Sequence, residues 1–300
     1  MGKKDPGALE SFLWRVSLFV GFRYRDPVLH FVILTLDSAA VSHLLLESLH
    51  KSPLLVGDLP EAASFSRVIF EMPEDRIALN LSQKLGHLYE DALGALFESS
   101  EQVEVIERNL QIQIDRHQTV GELDYLLRDR EKEGFVHLEL AVKFYLAVES
   151  VDGMMFPGPD ARDDYYRKLK RLRAHQLVLP GKFFEHFPSE YRAEAIRTEQ
   201  LIYGCLFDHV GSEKLAHAEF INPNCRRGRW LCEDEVEDYL RGTEKVWVIP
   251  KALWPVPFPL LEGVELERWD SGQGVDRCVM VKITGDERPH FMMPNGYPGR

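Results

Sequence analysis

Four ionisable residues interrupt two strongly apolar runs in the stretch GELDYLLRDREKEGFVHLELAVKFYL, residues 121–146: Glu122, Asp124, Glu139 and Lys143. A charge inside a buried strand is costly unless it is paired or binds a metal. These four therefore either face water or form a site. Side chains alternate along a strand, which puts Phe135, His137, Glu139, Ala141, Lys143 and Tyr145 on one face. Val136, Leu138, Leu140, Val142, Phe144 and Leu146 fall on the other, and all are apolar. In the preceding run, alternation predicts that Glu122 and Asp124 share a face, opposite Leu123, Tyr125 and Leu127. Two strands paired in this way would bring both polar sets to one side of a sheet. Two or three carboxylates beside one ammonium can hold Mg²⁺ and handle a water or a phosphate. An antiparallel sheet with one wet face gives the same alternation and is the competing expectation.

The surrounding pattern predicts the elements that must position these groups. A helix is expected over 81–98, with Leu85, Leu88, Tyr89, Leu93, Leu96 and Phe97 at helical spacing and Asn80 or Ser82 as cap. Glu90 lies beside that stripe and can look toward the sheet. Strands are expected at 103–114, 121–127 and 135–148, with connections short enough for an antiparallel meander. A second helix is expected from about Asp163 to Gln176; Tyr165, Leu169, Leu172 and Gln176 form its inward stripe. Arg167, Lys168, Lys170, Arg171 and Arg173 cover much of its other side, which is either a solvated face or a local basic patch. YRAEAIRTEQLIYGCLF reads as a helix leading into a strand. The last third reads as short strands and extended connections, with Trp230, Trp247 and Trp254 in the core rather than on a base-stacking platform. No clear pattern continues after about Gly285, so a loosely held tail is expected there. Helix, three strands, helix, strand makes an α/β fold with a mixed sheet between helices.

Composition narrows the partners. A formal charge of −12 gives no long-range attraction for nucleic acid, so such binding needs the local bases at 167–173. Cys205, Cys225, Cys232 and Cys278 have neither zinc-knuckle nor redox spacing, although His209 and His217 lie near the first two; buried thiols and a reducing, cytoplasmic location are expected. The apolar runs 12–22 and 28–36 contain Arg15 and His30 and fall short of the ~20 residues of a membrane span.

Glu90 in GHLYEDALGALF, Asp124 in GELDYLL, Glu139 and Lys143 in HLELAVKFYL, and Gln176 in RLRAHQL together resemble the PD-(D/E)XK nuclease superfamily. Within it the wording of GELDYLLRD, ELAVKFYL and LFDH…NPNCRRGRW is similar to the domain-of-unknown-function 1853 family, over roughly residues 55–255. One position departs from the superfamily pattern. The acidic residue usual two places before the lysine is Ala141 here, and the carboxylate stands one pleat further along, at Glu139.

The resemblance implies a restriction-endonuclease-like mixed sheet flanked by helices, with an N-terminal helical layer (1–78), a core (79–215) and a C-terminal extension (216–300). It implies Mg²⁺- or Mn²⁺-dependent hydrolysis of DNA or RNA. Asp124 and Glu139 would hold the metal, with Glu90 reaching it directly or through water. Lys143 would orient the attacking water, and Gln176 with the 167–173 bases would position the phosphate. With Ala141 in place of the acid, the alternatives are an inactive nucleic-acid-binding module and a protein-interaction scaffold on the same fold.

Overall fold

The computed structural model describes residues 37–270, 272 and 274–299. Residues 1–36 of the expected N-terminal layer, with both apolar runs, lie outside the described residues. Three strands form the expected meander: β2 (Val103–Asp115), β3 (Gln118–Asp129) and β4 (Phe135–Leu146), following the two-residue strand β1 (Ala63–Ser64). A small hairpin, β5 (Val148–Ser150) and β6 (Gly153–Met155), lies apart from them. β7 (Ile196–His209) then runs parallel to β4 along its whole length. β8 (Arg226–Cys232), β9 (Val246–Val248), β10 (Val279–Ile283) and β11 (His290–Met293) extend the same sheet. Among the described residues the mixed sheet has nine strands in the order β2-β3-β4-β7-β8-β11-β10-β9, with β1 on the second edge of β7.

Helices cover both faces. α1 (Ser38–Lys51) starts at the Asp37 side chain, which accepts the Ala39 N–H at 3.0 Å, and stops before Pro53, which disfavours helix in the residue ahead of it. α2 (Leu85–Ser99) packs Leu88, Leu93 and Phe97 with Leu45 of α1 against Tyr125, Leu127, Leu138 and Phe144 of the sheet. It begins after Lys84 rather than at Asn80 or Ser82, because the Asn80 carboxamide instead accepts the N–H (3.1 Å) and hydroxyl (2.6 Å) of Ser82 in a turn. On the opposite face, α3 (Tyr165–Arg171) packs Tyr165 and Leu169 over Tyr145, Ile202 and Leu206. α4 (Leu179–Phe183) covers Leu126 and Phe135, and α5 (Glu233–Tyr239) brings Val236 onto Leu231 and Met292.

Three local expectations change. The 163–176 helix is α-helical only to Arg171; residues Leu172–Gln176 form a widened π turn in which the Leu177 N–H reaches Leu172 O at 3.0 Å. The helix expected ahead of β7 shrinks to the single turn Ser189–Tyr191, because the chain from Ile196 on is claimed by pairing on both edges. The tail is not loose. β11 is buried throughout and sits between β8, to which it is parallel, and β10.

Candidate functional site

The carboxylates gather where the β3–β4 ladder comes apart. The two strands pair from Arg128↔Phe135 to Tyr125↔Leu138 and then separate, while β4 continues beside β7. On the other side of β3, pairing with β2 passes from Arg108↔Tyr125 to Leu110↔Leu123 and skips Asn109 and Asp124; Asn109 has φ +54°. Pairing resumes beyond them in unchanged register, but the side chains of β3 change face there. Leu123 therefore packs with Leu126, Phe135 and Leu179, whereas Tyr125 and Leu127 pack under α2. Strict alternation along β3, as expected from the sequence, does not hold, and Asp124 points along the sheet into the gap rather than to either face. Its Oδ2 accepts the Leu140 N–H at 2.8 Å, and Glu139 in turn takes the backbone N–H of Asp124. Each carboxylate thus satisfies a donor that the missing ladder would have used.

This arrangement is electrostatically strained. Glu139 is only 6% exposed. Burial first, then the Glu139 charge and further off those of Glu90 and Glu122, hold the Asp124 pKa well above the usual carboxylate range. Burial, Glu122 and Glu90 do the same to Glu139. No cation is among the groups that set either one. Glu90 enters from α2, on the other side of the sheet, where its main-chain carbonyl also accepts the Tyr125 hydroxyl. Behind Glu139 is His137, fully buried, with Nε2 2.8 Å from Glu139 Oε1. Burial pulls its pKa down to about 3, so the ring is neutral and holds Glu139 by a hydrogen bond rather than by charge. Among the described residues His137 Nδ1 has no partner, and neither does Oε1 of the buried Gln200, whose backbone pairs beside Glu139. Unsatisfied buried polar atoms are uncommon in folded proteins, and here one belongs to the ring that holds Glu139 and another to the residue paired with Glu139 in the sheet.

Lys143 stands apart from that pair. It lies four residues past Glu139 on a regular strand, roughly 13 Å along the chain, and its ammonium is 3.2 Å from Asp163. Its backbone partner in β7 is Gly204, at φ +149°; a Cβ there would overlap the Lys143 carbonyl, so this close pairing requires glycine. Between Glu139 and Lys143 the small Ala141 leaves a cavity of about 340 Å³ under α3 and the π turn. Gln176 lines it and also donates a hydrogen bond to Glu139, so the π turn delivers the residue that ties cavity to carboxylates.

The bases of α3 divide into two groups. Arg167, Lys168, Lys170 and Arg171 are exposed, and Lys168 and Arg171 reach the cavity mouth. Arg173 does not belong with them: it forms a two-pronged ion pair with Glu61 at 2.8 and 2.9 Å and lies over the Phe220 ring. Its role is to fasten the π turn to the segment before β1.

Three further residues shape the site. His137 was visible on the polar face but given no task. Asp163 was assigned to the helix start, yet it also faces Lys143 and, at 4.0 Å, Lys168. Gln200 gave no local signal, because its importance comes only from the parallel register of β4 and β7. Among the described residues, Cys232, Asp234 and Glu235 bring metal-ligand atoms within 4.8 Å of one another; Glu90, Asp124 and Glu139 are not so close. In that cluster Glu235 already accepts the Cys232 N–H at 2.8 Å and faces His209 at 3.0 Å, which is the hydrogen bonding of a helix start. All four cysteines are free thiols. No helix among the described residues is long and apolar enough to cross a membrane.

The family described as Domain of unknown function (DUF1853) matches residues 47–273, most of the chain, and the chain belongs to it. No curated protein and no solved structure matches.

Proposed function

We propose that this member of the DUF1853 family is a divalent-metal-dependent phosphodiesterase acting on DNA or RNA, on a core of the PD-(D/E)XK kind. The observation that carries the reading is the buried Asp124–Glu139 pair, pressed further by Glu90 and Glu122 and offset by no cation among the described residues. A structural acid pair of this type would be expected to carry an arginine or lysine. An all-oxygen donor set with surplus negative charge suits Mg²⁺ or Mn²⁺. Asp124 and Glu139 would hold the ion, with Glu90 and Glu122 as outer carboxylates. Such an ion, when bound, acts as a Lewis acid and lowers the pKa of water toward neutrality.

The remaining groups have tasks that follow from their positions. His137 fixes the rotamer of Glu139 by a neutral hydrogen bond. Gln176 orients Glu139 from the cavity side and presents its amide to substrate. Lys143, Lys168 and Arg171 attract phosphate oxygens at the mouth. With Ala141 in the acidic position, Lys143 acts on a phosphate neighbouring the scissile one rather than on the attacking water.

That same spacing favours a second reading, a module that binds nucleic acid without cutting it. One set of measurements separates the two. Cleavage of a mixed DNA and RNA panel with Mg²⁺ or Mn²⁺ should occur, and Asp124→Asn should lower it by roughly 10²–10³-fold, the size of losing one strong transition-state contact. The same variant should lose the rise in melting temperature that Mg²⁺ gives the wild type. Metal stabilisation without cleavage leaves the binding module; neither effect refutes the metal site itself.

A further inference from the structure

Resting on that phosphodiesterase reading, we propose that the cavity over Ala141 receives one unstacked nucleotide, its base on the apolar floor and its phosphate at the cationic rim. The protein would then act on unpaired or locally opened strands rather than on undisturbed duplex.

Three observations point this way. The first is size. About 340 Å³ is a ligand-sized space, and it exists because Ala141 carries a methyl group where its neighbours on the same face carry long side chains. The second is lining. Val56, Ala141, Leu169 and Ile202 provide flat apolar contact, while Gln176 and Tyr145 add the few polar groups needed to orient a heterocycle. Among the described residues no group hydrogen-bonds the Tyr145 hydroxyl; its ring is held edge-on by Tyr165, with centroids 5.3 Å apart. The third is charge. Lys143, Lys168 and Arg171 meet at the mouth, and Asp163 offsets one of them, which leaves a net positive rim on an acidic protein. An apolar, sparingly polar pocket with a cationic rim matches a nucleotide better than it matches a neutral metabolite. It also matches how enzymes that act within nucleic acids take a base out of the stack, at a cost that is lowest for unpaired bases.

Position strengthens the argument. Gln176 is shared between the cavity and Glu139, so a base seated over Ala141 leaves its own backbone beside the carboxylate pair. The pocket would therefore set the register of the strand. The residue that departs from the superfamily pattern is then the one that makes room for the substrate.

The experiment is a titration of the full-length protein with dAMP, dCMP and the base-free deoxyribose 5-phosphate, in EDTA so that the metal site takes no part. Wild type should bind the mononucleotides at least tenfold more tightly than the sugar phosphate. Ala141→Leu should weaken mononucleotide binding tenfold or more and lower the affinity for single strands, yet keep the Mg²⁺-induced rise in melting temperature. Leu172→Trp, which fills the cavity from the opposite wall, should do the same and serves if the first variant folds poorly. Equal binding of sugar phosphate and mononucleotide would mean that the rim holds phosphate alone, and the proposal falls. Unchanged mononucleotide affinity in both variants also overturns it. Loss of Mg²⁺ stabilisation and cleavage in the wild type with nucleotide binding intact would instead remove the phosphodiesterase reading and leave the pocket standing.

Discussion

Two buried acidic centres share one sheet and are treated in opposite ways. Asp208, on β7 and 2% exposed, is fully answered: the Arg227 guanidinium donates to both its oxygens at 2.6–3.2 Å, and the Ala216 N–H adds another bond at 2.8 Å. Asp124 and Glu139 have two backbone N–H groups, a neutral imidazole and an amide between them, and no cation among the described residues. A charge buried for the sake of the fold is closed by its partner. A charge buried for a ligand is left open, and the folded state bears the repulsion until the ligand arrives. The contrast is local, since both centres sit on neighbouring or adjacent strands of the same architecture.

The largest effect should come from opening the closed centre. Arg227→Ala leaves Asp208 buried and alone, and should destabilise the protein by about 3–5 kcal/mol. Urea unfolding reads this directly; a loss below about 1 kcal/mol would mean that Asp208 is not held by charge, and the comparison fails.

Titrating the open centre should also cost stability, as a gradual loss with pH. A carboxyl whose pKa is higher folded than unfolded holds its proton more tightly in the native state. Stability is then greatest at acidic pH and falls as pH rises from about 4 through the raised pKa values of Asp124 and Glu139. In EDTA stability should fall steadily between pH 5 and 9. The double variant Asp124→Asn, Glu139→Gln should flatten the profile and melt higher than wild type at alkaline pH. Mg²⁺ should stabilise wild type more at pH 8 than at pH 5. A metal-free melting profile that rises with pH would contradict the uncompensated pair.

The smallest effects should separate the two kinds of base on α3 and its π turn. Arg171→Ala should lower the salt dependence of nucleic-acid binding by about one unit of slope and leave melting unchanged. Arg173→Ala should leave the slope alone and lower the melting temperature slightly, as expected for a partly exposed ion pair. Equal slopes for both variants would return Arg173 to the binding surface.

What the sequence revealed depended on how local the information was. The apolar face of β4 and the meander were legible because a strand's period of two and short connections are properties of neighbouring residues. The inward stripe Tyr165, Leu169, Leu172, Gln176 was legible for the same reason, and it survives the change from α to π winding. The change of face at Asp124 was not, since it shows only in how β3 packs between its neighbours. Nor could the pairing of Arg173 with Glu61 be seen, because those residues are far apart in the chain. β11 was overlooked because four residues carry almost no periodicity; what makes them a strand is a slot between β8 and β10.

That slot has a consequence for how the protein is made. β9 and β10 reach the rest of the sheet only through β11, which follows both in the chain. As the polypeptide leaves the ribosome from its N-terminus, the meander and β7 can assemble early, but β8 must wait with one edge unfilled until residues 290–293 emerge. During that interval an apolar strand edge is open to any other extended chain. A stall or nonsense codon shortly before His290 should therefore yield not a slightly shortened protein but a sheet divided in two, prone to aggregate and to be degraded.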